Sequence, residues 1–199
     1  IQLIDFLSIR RRPDVNKFFS RFLKITEIHR NAIGKKDWTD DQIRDFLSNC
    51  SDGDLDKILS SRELEDLRMG TRERVTDMEL EHIRSLPEVL PNLFADAADR
   101  AKRSGLDGVE LHYAHAYTMA SFLSKKNTRD DGYGGEIENR VKLPLEVFQA
   151  VRNRVGEDYP VGCRFLSDEC IDGGSTVEDA KYFALEFANV ANQNNIKLI

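Results

Sequence analysis

The stretch LDGVELHYAHAYTMASFLSKKNTRDDGYGGEIENR, residues 106–140, decides the fold. It opens on Gly108-Val109-Glu110-Leu111-His112, which reads as a short buried strand, apolar at 109 and 111. Just past the strand end, His112, Tyr113, His115 and Tyr117 bring polar rings together. A polar, glycine-marked loop, residues 127–135, then leads into Glu138-Asn139-Arg140 at the start of a helix. A helix before the strand and a helix after the loop make an αβα run, the unit of a parallel sheet. In parallel α/β folds chemistry sits at the carboxyl ends of strands, where these rings would lie.

Downstream, Val141, Leu145, Phe148, Val151 and Val155 keep a helical period, with Pro144 as a first-turn or kink residue. Val161-Gly162-Cys163-Arg164-Phe165 reads as the next buried strand. Asp172-Gly173-Gly174 is a turn, and Ser175-Thr176-Val177-Glu178 caps a helix whose Ala180, Phe183, Ala184 and Phe187 face inward. Residues 196–199 begin another strand. Upstream, Leu93, Phe94, Ala97, Ala98 and Ala101 predict a helix from about Asn92 to Ser104, stopped by Gly105. A capping box at Thr76-Asp77-Met78-Glu79 starts an earlier helix, which Pro87 and Pro91 interrupt. Residues 14–75 read as helical, with a second capping box at Thr39-Asp40-Asp41-Gln42 and a further start at Ser60-Ser61-Arg62-Glu63. His29, alone on a charged face there, reads as a plain surface histidine. Residues 1–9 are dense in apolar side chains and suggest a buried strand that opens abruptly, like a cut end.

The strand signals, at 1–9, 108–112, 161–165 and 196–199, are separated by helices. A closed barrel of eight strands takes ~250 residues. The 199 residues therefore hold about half of one and are expected to be part of a longer protein. The net charge of −6 gives no electrostatic case for nucleic acid or an anionic membrane. No apolar run approaches the ~20 residues of a membrane span. Cys50, Cys163 and Cys170 are odd in number and widely spaced, which suits reduced cytoplasmic thiols better than a disulfide scaffold. Small-molecule chemistry is the expected function, with a homo-oligomer left open.

Two imidazoles at the end of a buried strand, His112 and His115, can converge on one ligand atom and donate hydrogen bonds to a carbonyl or an oxyanion. The bland alternative is a pair of satisfied structural histidines. Glu110, His112 and His115 also make a donor set for zinc or iron, although strand geometry leaves His115 on the turn. Arg164 lies among apolar neighbours and, if buried, needs an anionic or acceptor partner, either a ligand or a carboxylate such as Asp168 or Glu169. Cys163 and Cys170 read as buried filler, and Arg140 as a tie between helix and loop.

The segment resembles the old yellow enzyme family of flavin-dependent ene-reductases. The resemblance rests on Asp107-Gly108-Val109-Glu110, His112, Ala114-His115, Tyr117, Phe122-Leu123-Ser124, Tyr133-Gly134-Gly135 and Glu138-Asn139-Arg140. Ala116 stands where a glycine is usual, Gly132 where an acidic residue is common and Glu136 where serine is usual. The resemblance implies a (β/α)8 TIM barrel, present here from its third strand to the start of its sixth. Residues 1–199 would form a partial FMN-binding barrel with a helical insertion at about 14–75, where the family has a shorter connection. It implies FMN as cofactor and NAD(P)H as reductant. It also implies His112 and His115 on the oxygen of an α,β-unsaturated carbonyl, Tyr117 as proton donor, and Gln2 and Arg164 on the flavin. The family's phosphate-binding loops come late in the barrel, beyond these residues. Two other readings stand beside it: a metal-dependent barrel hydrolase using Glu110, His112 and His115, and a non-catalytic helical interaction protein.

Overall fold

The computed structural model describes residues 1–193, so the strand expected at 196–199 lies outside the described residues. In chain order the elements begin with β1 (Gln2–Leu3) and α1 (Val15–Lys17), which runs into a π-helical turn over Phe18–Phe22. There follow α2 (Glu27–Ala32), α3 (Asp40–Ser48), α4 (Asp52–Ile58), α5 (Ser61–Arg68), α6 (Glu81–Arg84) and α7 (Leu86–Arg103). The remainder is β2 (Val109–Tyr113), α8 (Thr118–Leu123), α9 (Ile137–Val155), β3 (Val161–Phe165) and α10 (Val177–Gln193). The chain divides into two compact units: Ile1–Leu7 with the residues from Arg74 onward, and Ser8–Glu73.

The first unit is α/β. Its sheet has three strands in the order β1-β2-β3, all parallel. Gln2 lies opposite Glu110 and Leu3 opposite Leu111, while β2 and β3 run in register from Val109–Val161 to Tyr113–Phe165. The odd-numbered positions of β2 face the helices: Val109, Leu111 and Tyr113 are buried in one core with Leu90, Phe94, Ala98, Val147, Phe148, Val151 and Phe187. Burying each side chain of this size stabilises the fold by about 1.5–3 kcal/mol. The buried Tyr113 hydroxyl donates to the Pro144 carbonyl at 3.1 Å, so its polar atom is satisfied within the core.

Three upstream expectations are corrected. Pro87 and Pro91 do not interrupt a helix; α7 runs from Leu86 to Arg103 with Pro87 in its first turn and Pro91 inside. Leu86, Leu90, Phe94, Ala98 and Ala101 all pack against the sheet, and that burial outweighs the ~3 kcal/mol of a lost helical bond. Residues 76–79 form a turn rather than a helix start, because the Asp77 carboxylate accepts from the Arg74 N–H at 2.8 Å and α6 begins after Leu80. Residues 1–9 are not a long buried strand. Only Gln2 and Leu3 pair, and Ile1, Ile4, Phe6 and Ile9 are exposed, since β1 is an edge strand with one neighbour among the described residues.

The second unit is helical and has its own core of Phe18, Phe19, Leu23, Ile43, Leu47, Leu55, Leu59 and Leu67. Capping boxes at Thr39/Gln42 and Ser60/Glu63 start α3 and α5. Ile9 and Arg72 form an antiparallel bridge, flanked by Arg10 N–H to Thr71 O and Glu73 N–H to Ser8 O. His29 is not a surface histidine: it is 1% exposed. Its Nδ1 accepts from the Thr26 N–H at 3.0 Å and its Nε2 lies 3.1 Å from Glu63 Oε1, so one ring caps α2 and joins it to α5. No helix among the described residues is long and apolar enough to cross a membrane.

Candidate functional site

Alternation along β2 sends Glu110 and His112 to the face opposite the core. Register adds Gln2 from β1 on the Glu110 row, and Gly162 and Arg164 from β3 on the Glu110 and His112 rows. Parallel sheets normally carry apolar side chains on both faces. This face carries an amide, a carboxylate, an imidazole and a guanidinium, with Gln2, Gly162 and Arg164 exposed. Arg164 is therefore not buried as its apolar neighbours suggested: Val161, Cys163 and Phe165 point to the core face and Arg164 to the open one. Cys163 is half-buried rather than filler sealed in the core, and Cys170 is exposed.

His112 is the exception on this face, at 2% exposed. Two rings cover it: that of His115, with centroids 4.9 Å apart, and that of Tyr117, at 5.5 Å. Phe6 packs on the far side of Tyr117 at 5.7 Å. The covering depends on an unusual turn. His115 and Ala116 both take positive φ, 58° and 55°, a region most side chains avoid. Tyr117 then precedes α8, whose first N–H, from Thr118, donates to the Asp5 carbonyl at 3.2 Å.

Among the described residues neither ring nitrogen of His112 has a hydrogen-bond partner. An unpaired buried polar group costs about 1–3 kcal/mol, so it calls for a ligand-based explanation. Burial, then the fields of His115 and Arg164, push the imidazole below its ordinary pKa, and Glu110 opposes them. The ring is held neutral and keeps one N–H to donate.

Two buried arginines tie the segments that follow the ring cluster in the chain. Arg140 donates to the Gly135 and Leu123 carbonyls at 3.1 and 2.6 Å, to Ser175 Oγ at 3.0 Å and to Asp179 Oδ1 at 2.8 Å. Arg129 likewise donates to the carbonyls of Val75, Ile83 and Arg84 and to Asp131. Gly134 is required where it stands, because an added Cβ would sit 2.6 Å from the Arg129 nitrogen and 2.7 Å from Asn127 Oδ1. These contacts tie the 124–135 loop to the C-terminal end of α8 and the starts of α9 and α10.

The structure brings His112, His115 and Tyr117 into one cluster and sets Gln2 and Arg164 on the same sheet face. It does not assemble the metal donor set. Among the described residues no three His, Cys, Asp or Glu side chains converge as ligands, and Glu110 is engaged by the Gln2 amide. Alternation had already set Glu110 on one face with His112; its engagement by Gln2 and the packing of Phe6 were not anticipated, because pairing across more than a hundred residues leaves no local signal.

The sequence pattern of the NADH:flavin oxidoreductase / NADH oxidase family matches residues 54–198. The NADH oxidase of Thermoanaerobacter brockii is 45% identical over 111 residues, 54% of this chain and 17% of that protein. The cinnamate reductase of Clostridium sporogenes is 41% identical over 87 residues, 40% of this chain and 13% of that protein. The chain thus spans less than a fifth of the length of either relative. Among solved structures, a 2-naphthoyl-CoA reductase in complex with 2-naphthoyl-CoA superposes with a TM-score of 0.51 at 33% identity, covering 55% of this chain and 16% of that one. With a match across most of its length, the chain belongs to the NADH:flavin oxidoreductase / NADH oxidase family.

Proposed function

We propose that this chain is the part of an FMN-dependent ene-reductase that binds and protonates an activated alkene, an α,β-unsaturated carbonyl or enoyl-type compound. The family uses FMN, with NAD(P)H as reductant. The observation that carries the reading is the buried His112, with both ring nitrogens unpaired among the described residues and its ring tilted about 50° against those of His115 and Tyr117. The sheet is read as an arc of a (β/α)8 barrel whose interior is the open polar face.

The residues present fit a flavin. Arg164 offers an exposed cation and Gln2 an exposed amide on the face that holds His112. Bound there, FMN would supply the hydride that adds to the alkene. The N–H groups of His112 and His115 would hold the carbonyl oxygen and stabilise the negative charge that develops on it. The Tyr117 phenol, whose hydroxyl can donate, would give its proton to the carbon left electron-rich. Arg164 would stabilise negative charge on the cofactor ring edge.

Rapid-mixing measurement of the two half-reactions tests the assignment. His112→Ala or His115→Ala should slow alkene reduction by the equivalent of about 2–4 kcal/mol and weaken binding of the unsaturated carbonyl. Tyr117→Phe should slow alkene reduction while leaving NAD(P)H oxidation and carbonyl binding near the parental level. Equal impairment of both half-reactions by Tyr117→Phe would refute the division of labour.

A further inference from the structure

Glu110 has no part in the chemistry proposed above, yet it is the one acid on the open face of the sheet rows that carry Gln2 and Arg164. Gln2 Nε2 donates to Glu110 Oε1. A carboxylate can only accept, so the amide must turn its nitrogen toward Glu110 and its oxygen away. The chemistry of the pair thus fixes the amide orientation. Gln2 Oε1 has no hydrogen bond within the protein among the described residues, and Gln2 itself is exposed. On the far side of Glu110 the same row holds Gly162, where an added Cβ would meet nothing within 4 Å. The row therefore offers open space beside Glu110, and one row along stands the Arg164 guanidinium.

We infer that Glu110 is a positioning residue that locks the Gln2 amide with its oxygen toward the ligand, so that this face selects a heterocycle presenting an imide N–H beside a carbonyl. The inference rests on the flavin reading of the site. Gln2 Oε1 accepts from the imide N–H, and Arg164, which can only donate, takes the neighbouring carbonyl. A ring edge with the reverse pattern, an acceptor where the imide carries its N–H, meets an oxygen lone pair and is rejected. A ligand that covers these groups without matching them leaves them unpaired and away from water, which makes the rejection strong.

The test is the dissociation constant of FMN, and of FMN methylated at N3, measured by flavin fluorescence on the apo form of the whole protein, with a thermal melt of each variant. Glu110→Gln keeps an acceptor for Gln2 Nε2 and should bind FMN within about threefold of the parent. Glu110→Leu frees the amide to rotate and should weaken FMN about tenfold, as expected for one lost oriented hydrogen bond. Glu110→Lys offers a donor, turns the amide over, and should shrink the preference for FMN over its N3-methyl form. A merely structural role would lower the melting temperature without changing that preference. Should Glu110→Leu and Glu110→Lys keep the parental affinity and preference while Gln2→Leu weakens FMN, the positioning role is overturned and the flavin site stands. Should Gln2→Leu and Arg164→Leu both bind FMN as the parent does, the flavin reading itself fails.

Discussion

Arg140→Ala removes a guanidinium that is almost wholly buried and that joins four segments. The consequences can be taken contact by contact. The Gly135 carbonyl loses the side-chain donor it has, whereas the Leu123 carbonyl still accepts from Ser175 Oγ at 3.2 Å. Asp179 keeps Lys125 at 2.9 Å and the Thr176 N–H at 2.8 Å. Breaking a buried ion pair typically costs about 3–5 kcal/mol, and the retained partners put this one at the low end. The cation also lies 5.8 Å from the Phe183 ring, a further ~0.5–1 kcal/mol. The expected loss is therefore about 3–4 kcal/mol, read as a lower urea midpoint at unchanged slope. Arg140→Lys restores the charge without the fork and should recover about half. The effect has a pH signature. Burial pushes the Asp179 carboxyl up, but bonds from Lys125, the Thr176 backbone and Arg140 outweigh it and hold the group well below the usual carboxylate range. A depressed pKa contributes stability that is present above the unfolded value of about 4 and fades as pH falls through the folded one. The variant should accordingly lose less stability than the parent on going from pH 5 to pH 3. A loss below about 1 kcal/mol at pH 7, or an acid slope as steep as the parent's, would refute the reasoning.

Three further outcomes follow from the site. Ala116→Gly should raise stability by about 1 kcal/mol, because φ of 55° strains alanine and not glycine; a lowered melting temperature would count against the turn geometry. The His112 ring should titrate below its ordinary value and remain neutral through pH 7, as read from its imidazole carbon–proton shifts; a midpoint above that value would mean the ring is neither desolvated nor flanked by cations. Gly134→Ala should destabilise the loop by several kcal/mol, since the obstructing atoms are backbone and a hydrogen-bonded amide; a soluble variant with parental stability would show that the loop can move aside.

The strand core and its flanking helices were legible because each obeys a local period. Residues 161–165 are apolar at alternate positions, and the apolar stripe of α9 recurs at helical spacing. The ring cluster was legible because it lies within six residues of one strand end. What escaped was set by distant partners. Pro91 looks like a helix breaker until the sheet that buries α7 is known. His29 sits among charges in sequence, but Glu63 and the Thr26 cap, brought together only in the folded unit, make it a buried joint. Arg164 looked buried because its neighbours are apolar, although alternation already assigned them to the opposite face.

The helical unit enters and leaves at a single point. Ser8 and Glu73 share a backbone hydrogen bond, and Ile9 and Arg72 pair directly above them. The two ends of this long segment are thus as near to each other as the ends of a tight hairpin. Loop closure entropy rises slowly with length, by about 0.6 kcal/mol per doubling, and here the inserted unit closes its own ends by folding. A segment whose ends are already paired asks of the chain that carries it only the closure of a short turn, so its length adds little to the entropy of bringing residues 7 and 74 together.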